Sequence, residues 1–213
     1  MISSSDIDGL VARCATLPAS SDDPRCDDYV ENLLLAVLDR ALHLTTVNRA
    51  YEYFHLVRHA SVRTAEDLRN LLEAYPDDDH GNMQLAIYLF NMKFWNRARD
   101  LRVLFDFFDA RGVTSQEGLR TWFTRSAFTK DFEGKIPRFS YASYQLFRIR
   151  LGEDTIKPDI HVKRFVKETI GQMPSDSDIV DGLERTARKL GWNAGELDRR
   201  IFAYQKGKTV GLS

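Results

Sequence analysis

The stretch "IKPDIHVKRFV", residues 156–166, gathers the residue types best suited to chemistry. Asp159 follows Pro158 directly and opens a short basic segment carrying Lys163 and Arg164, with Lys157 just upstream. A carboxylate in that position has two possible uses. It can accept the unpaired amide N–H groups of a first helical turn, as aspartate does at many helix starts. It can also stand at the edge of a groove as a catalytic carboxylate, stabilising positive charge or orienting water. His161 reads as a supporting hydrogen-bonder rather than as a proton carrier.

Charge is unevenly spread around that stretch. The whole chain of 213 residues has a formal net charge of −1. Residues 1–31 carry seven acids against two bases, a balance of −5. Residues 119–167 carry eleven bases against five acids, a balance of +6. One region could therefore face a polyanion although the average is neutral; the alternative is that these charges spread over several solvated faces. Cys14 and Cys26 are the only cysteines, too few for a thiolate-built zinc or iron–sulfur site. The start "MISSSDIDGL" has neither a basic n-region nor an apolar h-region, and no stretch approaches 18 uncharged apolar residues. The expectation is a cytoplasmic protein with reduced thiols and no membrane partner.

The elements that must position Asp159 are helical. "YVENLLLAVLDRAL" puts Val30, Leu33, Leu34, Val37, Leu38 and Leu42 on one face, the spacing of an amphipathic helix. "TAEDLRNLLEAY" opens with Thr64 and Asp67 three apart, a capping-box pattern. Further helical patterns run through "GNMQLAIYLFNM", "WNRARDLRVLFDFFDARG", "TSQEGLRTWFTR", "SYASYQLFRIRLG", "DIHVKRFVKETIG", "SDSDIVDGLERTARKLG" and "NAGELDRRIFAYQK", several closing on glycine. No period-two run is long enough to argue for a sheet, so the expected class is all-α with about ten helices. "LPASSDDP" and "PDDDHG" read as loops. Trp95, Trp122 and Trp192 read as core anchors.

Taken in order, these segments resemble the helix-hairpin-helix DNA glycosylase superfamily, which includes endonuclease III and the adenine- and thymine-mismatch glycosylases. The most specific match is Asp-x-His-Val-x-Arg through Asp159, His161, Val162 and Arg164, after a helix over 139–151 and the link "GEDTIKP". "LLLAVLDRALHLTTVNRAYEYF", "TAEDLRNLLE" and "WNRARDLRVLFDFF" are similar to earlier family helices, so roughly residues 30–170 are covered.

The resemblance implies a two-lobed fold with a DNA-binding cleft between lobes. Residues 1–29 with 160–213 would form the terminal-helix lobe, and 30–159 the lobe carrying hairpin and catalytic acid. It implies Asp159 as the catalytic carboxylate, double-stranded DNA with a flipped base as partner, a monomer, and neither cofactor nor metal. The lyase members' lysine position falls on Tyr141 by gapless counting, which implies hydrolysis without strand cleavage, because a phenol forms no Schiff base. Tyr144 competes with Tyr141 for the pocket role, and Lys157 is a conceivable amine on a different segment. Lys135, Arg138, Lys157, Lys163 and Arg164 are the implied DNA contacts, and Leu42 and His43 the wedge candidates.

Two departures stand out. The family hairpin's Leu-Pro-Gly-Val-Gly is replaced by "KIPRFSY", with Pro137 but no glycine, and the wedge loop "DRALHLTT" is one residue shorter. The expected reaction is removal of a modified or mispaired base to leave an abasic site, with a modified base in foreign or phage DNA as one substrate class and antiviral defence as the corresponding role. The rival is a catalytically silent DNA-binding or scaffold module of the same fold.

Overall fold

The structure is a computed structural model describing residues 1–20, 24–39 and 42–210, the last two without their side chains. It is all-helical among the described residues, and it divides into two compact units, residues 1–25 with 140–213 and residues 26–139. Helix α1 (Ser4–Cys14) opens the first unit.

The second unit holds α2 (Tyr29–Leu38), α3 (Leu44–Tyr53), α4 (Ala65–Ala74), α5 (Asp79–Phe90), α6 (Trp95–Asp109) and α7 (Gln116–Phe123). The apolar stripe of α2 explains its place: Leu33, Leu34, Val37 and Leu38 are fully buried, and α2 packs on α3, α4 and α6. Each such leucine contributes about 1.5–3 kcal/mol by leaving water. The helix ends earlier than the stripe suggests, at Leu38, and residues 40 and 41 lie outside the described ones. Residues 21–23 of the expected loop "LPASSDDP" also lie outside them. The capping box is formed: Asp67 donates its amide to Thr64 Oγ1 at 3.1 Å, and Thr64 donates its own to Asp67 Oδ2 at 2.9 Å.

Two segments are π-helical. α3 runs into a π-helical turn over Phe54–Arg58, and a second such turn spans Phe128–Phe132. The second contributes Phe132 to an aromatic cluster, its ring 4.9 Å from those of Trp122 and Phe139. Trp122 is thus a core anchor.

The first unit continues with α8 (Tyr141–Arg150), α9 (Ile160–Ile170), α10 (Asp176–Leu190) and α11 (Ala194–Val210). Helix α1 packs on α9 and α10, and α11 on α9 and α10, around Ile7, Leu10, Phe165, Ile179, Leu183 and Leu197. Trp192 packs on this core with Arg200 over its ring at 4.1 Å. The change of unit falls at 139/140 rather than at the 159/160 boundary read from the sequence. The physical reason is that α8 and the following link are built into the terminal helices: Ile156 is fully buried in their core, and Thr155 bridges Gln145 of α8 to Glu184 of α10. Likewise the N-terminal segment changes unit at 25/26, because Cys26 carbonyl oxygen is held by Asn32 and Gln116 side chains. No described helix is long and apolar enough to cross a membrane.

Candidate functional site

Pro158 restrains Lys157 before it to extended backbone, which keeps residues ahead of the proline out of the helix. Asp159 is therefore the N-cap of α9, in extended geometry at φ −83° and ψ −174°. Its Oδ1 accepts the amides of His161 at 2.9 Å and Val162 at 3.1 Å. These two donors fix the carboxylate and place it at the positive end of the helix. The other oxygen, Oδ2, lies 3.8 Å from the Lys157 ammonium, and the side chain stays 19% exposed. Capping thus engages one oxygen and leaves the second directed at a cation and within reach of solvent.

A second carboxylate, which the sequence does not mark out, completes this corner. Asp198 of α11 accepts the backbone amide of Lys157 on Oδ1 at 2.9 Å. Burial pushes Asp198 up to about 7, with the Asp159 charge adding to the effect and the Lys157 amide opposing it. Two acids with different duties thus flank one lysine. Asp159 holds the helix start, and Asp198 fixes the extended link that delivers it. The His161 and Phe202 rings meet at right angles with centroids 5.0 Å apart, and the buried Nδ1 of His161 has no hydrogen-bond partner among the described residues, so the ring is placed by packing rather than by the hydrogen bond expected from the sequence.

Tyr141 begins α8 after the Ser140 cap. Its hydroxyl accepts from Gln145 Nε2 at 2.7 Å, and Gln145 in turn accepts from Arg148 and Thr155. Burial raises the Tyr141 pKa, so the phenol stays neutral and suited to hydrogen bonding. Its neighbour Tyr144 is buried, with the rings 6.2 Å apart.

The basic candidates divide sharply. Lys163 is paired with Asp176 at 2.7 Å. Arg164 is exposed and makes no ion pair among the described residues. In the other unit, Lys135 donates to the Lys130 carbonyl at 2.5 Å. Arg138 sits in the left-handed region at φ 61°, where glycine is the usual occupant, and its guanidinium pairs with the buried carboxylate of Asp100 on α6. The glycine-less hairpin therefore keeps a left-handed backbone at this position, and a side chain tethers it. Leu42 is half-buried and His43 exposed at the residue before α3.

Asp159 lines neither of two grooves in the separate units. One of about 450 Å³ is lined by Trp122, Arg125 and Lys130 in the second unit. Another of about 390 Å³ is lined by Arg25, Asp154, Glu196 and Arg199 in the first.

No model of a known protein family matches this chain, and no curated protein matches it. Among solved structures, it is similar to a trapped covalent intermediate of endonuclease III with DNA, an estranged-adenine complex. The TM-score is 0.60 at 17% identity, covering 94% of this chain and 85% of that one. The chain thus has the all-helical fold of endonuclease III, in a strongly divergent sequence.

Proposed function

We propose that this protein is a DNA glycosylase that hydrolyses the N-glycosidic bond of a modified or mispaired base and leaves an abasic site without cutting the strand. The observation that carries the proposal is Asp159 itself. In a chain with the fold of endonuclease III, its carboxylate is fixed through one oxygen by the start of α9 while the other points toward Lys157.

Breaking the bond builds positive charge on the sugar, and a carboxylate beside the anomeric carbon stabilises that charge and orients the attacking water. Preorganisation matters because a carboxylate already held by two amides need not reorient as the charge develops. The target base leaves the stack before reaction. Asp198 acts as a positioning residue through the Lys157 amide. Arg164, Lys157 and Lys163 are the proposed phosphate contacts in this unit, the last by exchanging Asp176 for DNA. Lys135 contributes from the hairpin, and Arg138 chiefly holds that turn in shape. Leu42 and His43 are the proposed wedge, Tyr141 a pocket wall, and the working state a cytoplasmic monomer. A modified base of foreign or phage DNA is the proposed substrate class, with a defence role to match.

The silent DNA-binding reading gains from the engagement of Arg138 by Asp100 and of Lys163 by Asp176, which leaves fewer cations ready for phosphate. A panel of base-modified duplexes and phage genomic DNA, scored for abasic sites with hot alkali, separates the two. Product on at least one substrate supports the glycosylase. Salt-dependent binding with no product across the panel favours the silent module. Borohydride treatment during turnover tests the hydrolytic detail. A trapped protein–DNA adduct lost on Lys157→Ala contradicts it and makes Lys157 the nucleophile.

A further inference from the structure

The second unit contains a cluster of donor atoms that the glycosylase reading does not use. Glu31 lies in the first turn of α2, with its side chain only 8% exposed. His55 belongs to the π-helical turn that extends α3, and His59 follows that turn directly. A π-helical turn is wider than an α-helical one, and such turns recur at functional sites. Here the His59 amide closes it on the Phe54 carbonyl, and the His55 and His59 rings stack with centroids 5.6 Å apart. One donor atom each from Glu31, His55 and His59 lies within 4.8 Å of the others.

The carboxylates around these rings are each held by one oxygen and offered by the other. Glu31 Oε2 accepts the Tyr51 hydroxyl at 2.8 Å, while Oε1 faces His55 Nδ1 at 2.6 Å and His59 Nε2 at 4.0 Å. Asp28 Oδ1 caps α2 by accepting the Glu31 amide at 2.8 Å, while Oδ2 faces His59 Nε2 at 3.1 Å. Outer hydrogen bonds of this kind are what orient ligating carboxylates in metal sites. Glu31 is also a buried anion whose ion pairs among the described residues are with histidines alone.

We infer that Glu31, His55 and His59, with Asp28 as fourth ligand, form a binding site for a divalent transition-metal ion of the zinc class. Two imidazoles and two carboxylates suit such an ion, whereas calcium and magnesium prefer all-oxygen cages. In a tetrahedral site with bonds of about 2.0–2.1 Å, ligand atoms stand roughly 3.3 Å apart. For Glu31, His55 and His59 the separations run from 2.6 Å to at most 4.8 Å and bracket that value, so side-chain rotations bring the three onto one ion, while Asp28, 3.1 Å from His59 Nε2, lies outside that three-atom cluster and joins by a further rotation of its own. Binding replaces the histidine–carboxylate hydrogen bonds, each imidazole taking the tautomer that carries its proton on the nitrogen away from the ion, and the ion then ties the start of α2 to the end of α3. His55 is 53% exposed, which gives the ion a path in from solvent. This site departs from the metal-free expectation of the sequence, and it stands whether or not the chain excises bases.

The test is calorimetric titration of the chelator-treated full-length protein with zinc chloride, alongside thermal melts with and without zinc. The expected result is a single saturable equivalent, a higher melting midpoint with zinc, and weakening by roughly 100-fold in His55→Gln and His59→Gln. Asp28→Asn is the companion variant, since asparagine preserves the cap of α2 while removing the ligand charge; it weakens binding without lowering the metal-free midpoint. Far-UV circular dichroism verifies that each variant is folded. No saturable zinc binding by the wild type, or equal binding by a folded His55→Gln/His59→Gln double variant, overturns the site and leaves a histidine–carboxylate hydrogen-bond network.

Discussion

The turns before α8 and before α9 each set a charged side chain beside a proline, and they use that charge differently. At the first, Arg138 adopts a left-handed backbone that disfavours any side chain by about 1 kcal/mol, and its guanidinium is bound to Asp100, which is 3% exposed. At the second, Asp159 adopts ordinary extended backbone and gives one carboxylate oxygen to the helix amides. In the first case the charge maintains the turn. In the second the helix maintains the charge, and one oxygen stays available for a ligand. A charged residue beside a proline in these two turns is thus either spent on the turn or kept open, according to what its partner leaves free.

The largest stability effect expected from this contrast is at Asp100. Asp100→Ala removes the buried partner of Arg138 and of the buried Arg97, whose guanidinium burial already disfavours. Asp100 and Arg97 are buried but Arg138 is 48% exposed, so the cost falls between the about 1 kcal/mol of a surface pair and the about 3–5 kcal/mol of a fully buried one, to be read as a lowered urea midpoint. A cost below about 1 kcal/mol, the scale of a surface ion pair, would show that the turn does not depend on the pair.

A smaller effect is expected at Asp198. Its pKa is raised from 3.8 to about 7, so across that window the folded chain holds a proton that the unfolded chain has lost. Its contribution to stability is thus full below 3.8 and declines as pH rises toward 7. Asp198→Asn keeps an acceptor for the Lys157 amide and removes the titration. Its stability should fall less steeply than that of the wild type across this window in pH-dependent melts. Parallel curves would mean that Asp198 is not held in a desolvated position.

The smallest effect separates the arginines. Arg164→Ala should lower the slope of log affinity against log salt by about 0.9 if it neutralises one phosphate. Arg138→Ala should leave that slope nearly unchanged, because Asp100 already holds the guanidinium. Equal changes in filter-binding titrations would erase the distinction between the two turns.

Much of this was legible in sequence because helices announce themselves locally. The apolar stripe of α2, the Thr64–Asp67 box and the Pro158–Asp159 start all follow from near-neighbour spacing. What the sequence hides depends on distance along the chain. Asp100 and Arg138 meet across 38 residues, and Lys157 and Asp198 across 41. Asp198 sits in "GELDRRIF", where a buried acid and a solvated one look alike. Glu31 poses the same problem, and the π-helical turn that stacks His55 on His59 has no pattern that ordinary helix spacing would reveal.

The most direct test of the central claim is Asp159→Asn, assayed for abasic sites in single-turnover reactions on whichever duplex the wild type processes. Asparagine caps helices about as well as aspartate, so the fold, melting midpoint and DNA affinity should hold, while Asp159→Ala serves as the control that loses the cap at a cost of about 1 kcal/mol. The account predicts a fall in the excision rate of about 10²–10⁴-fold for Asp159→Asn, the range by which positioned acid–base groups accelerate reactions. Excision at the wild-type rate by a folded Asp159→Asn protein would contradict it, and would reduce Asp159 to the cap of α9.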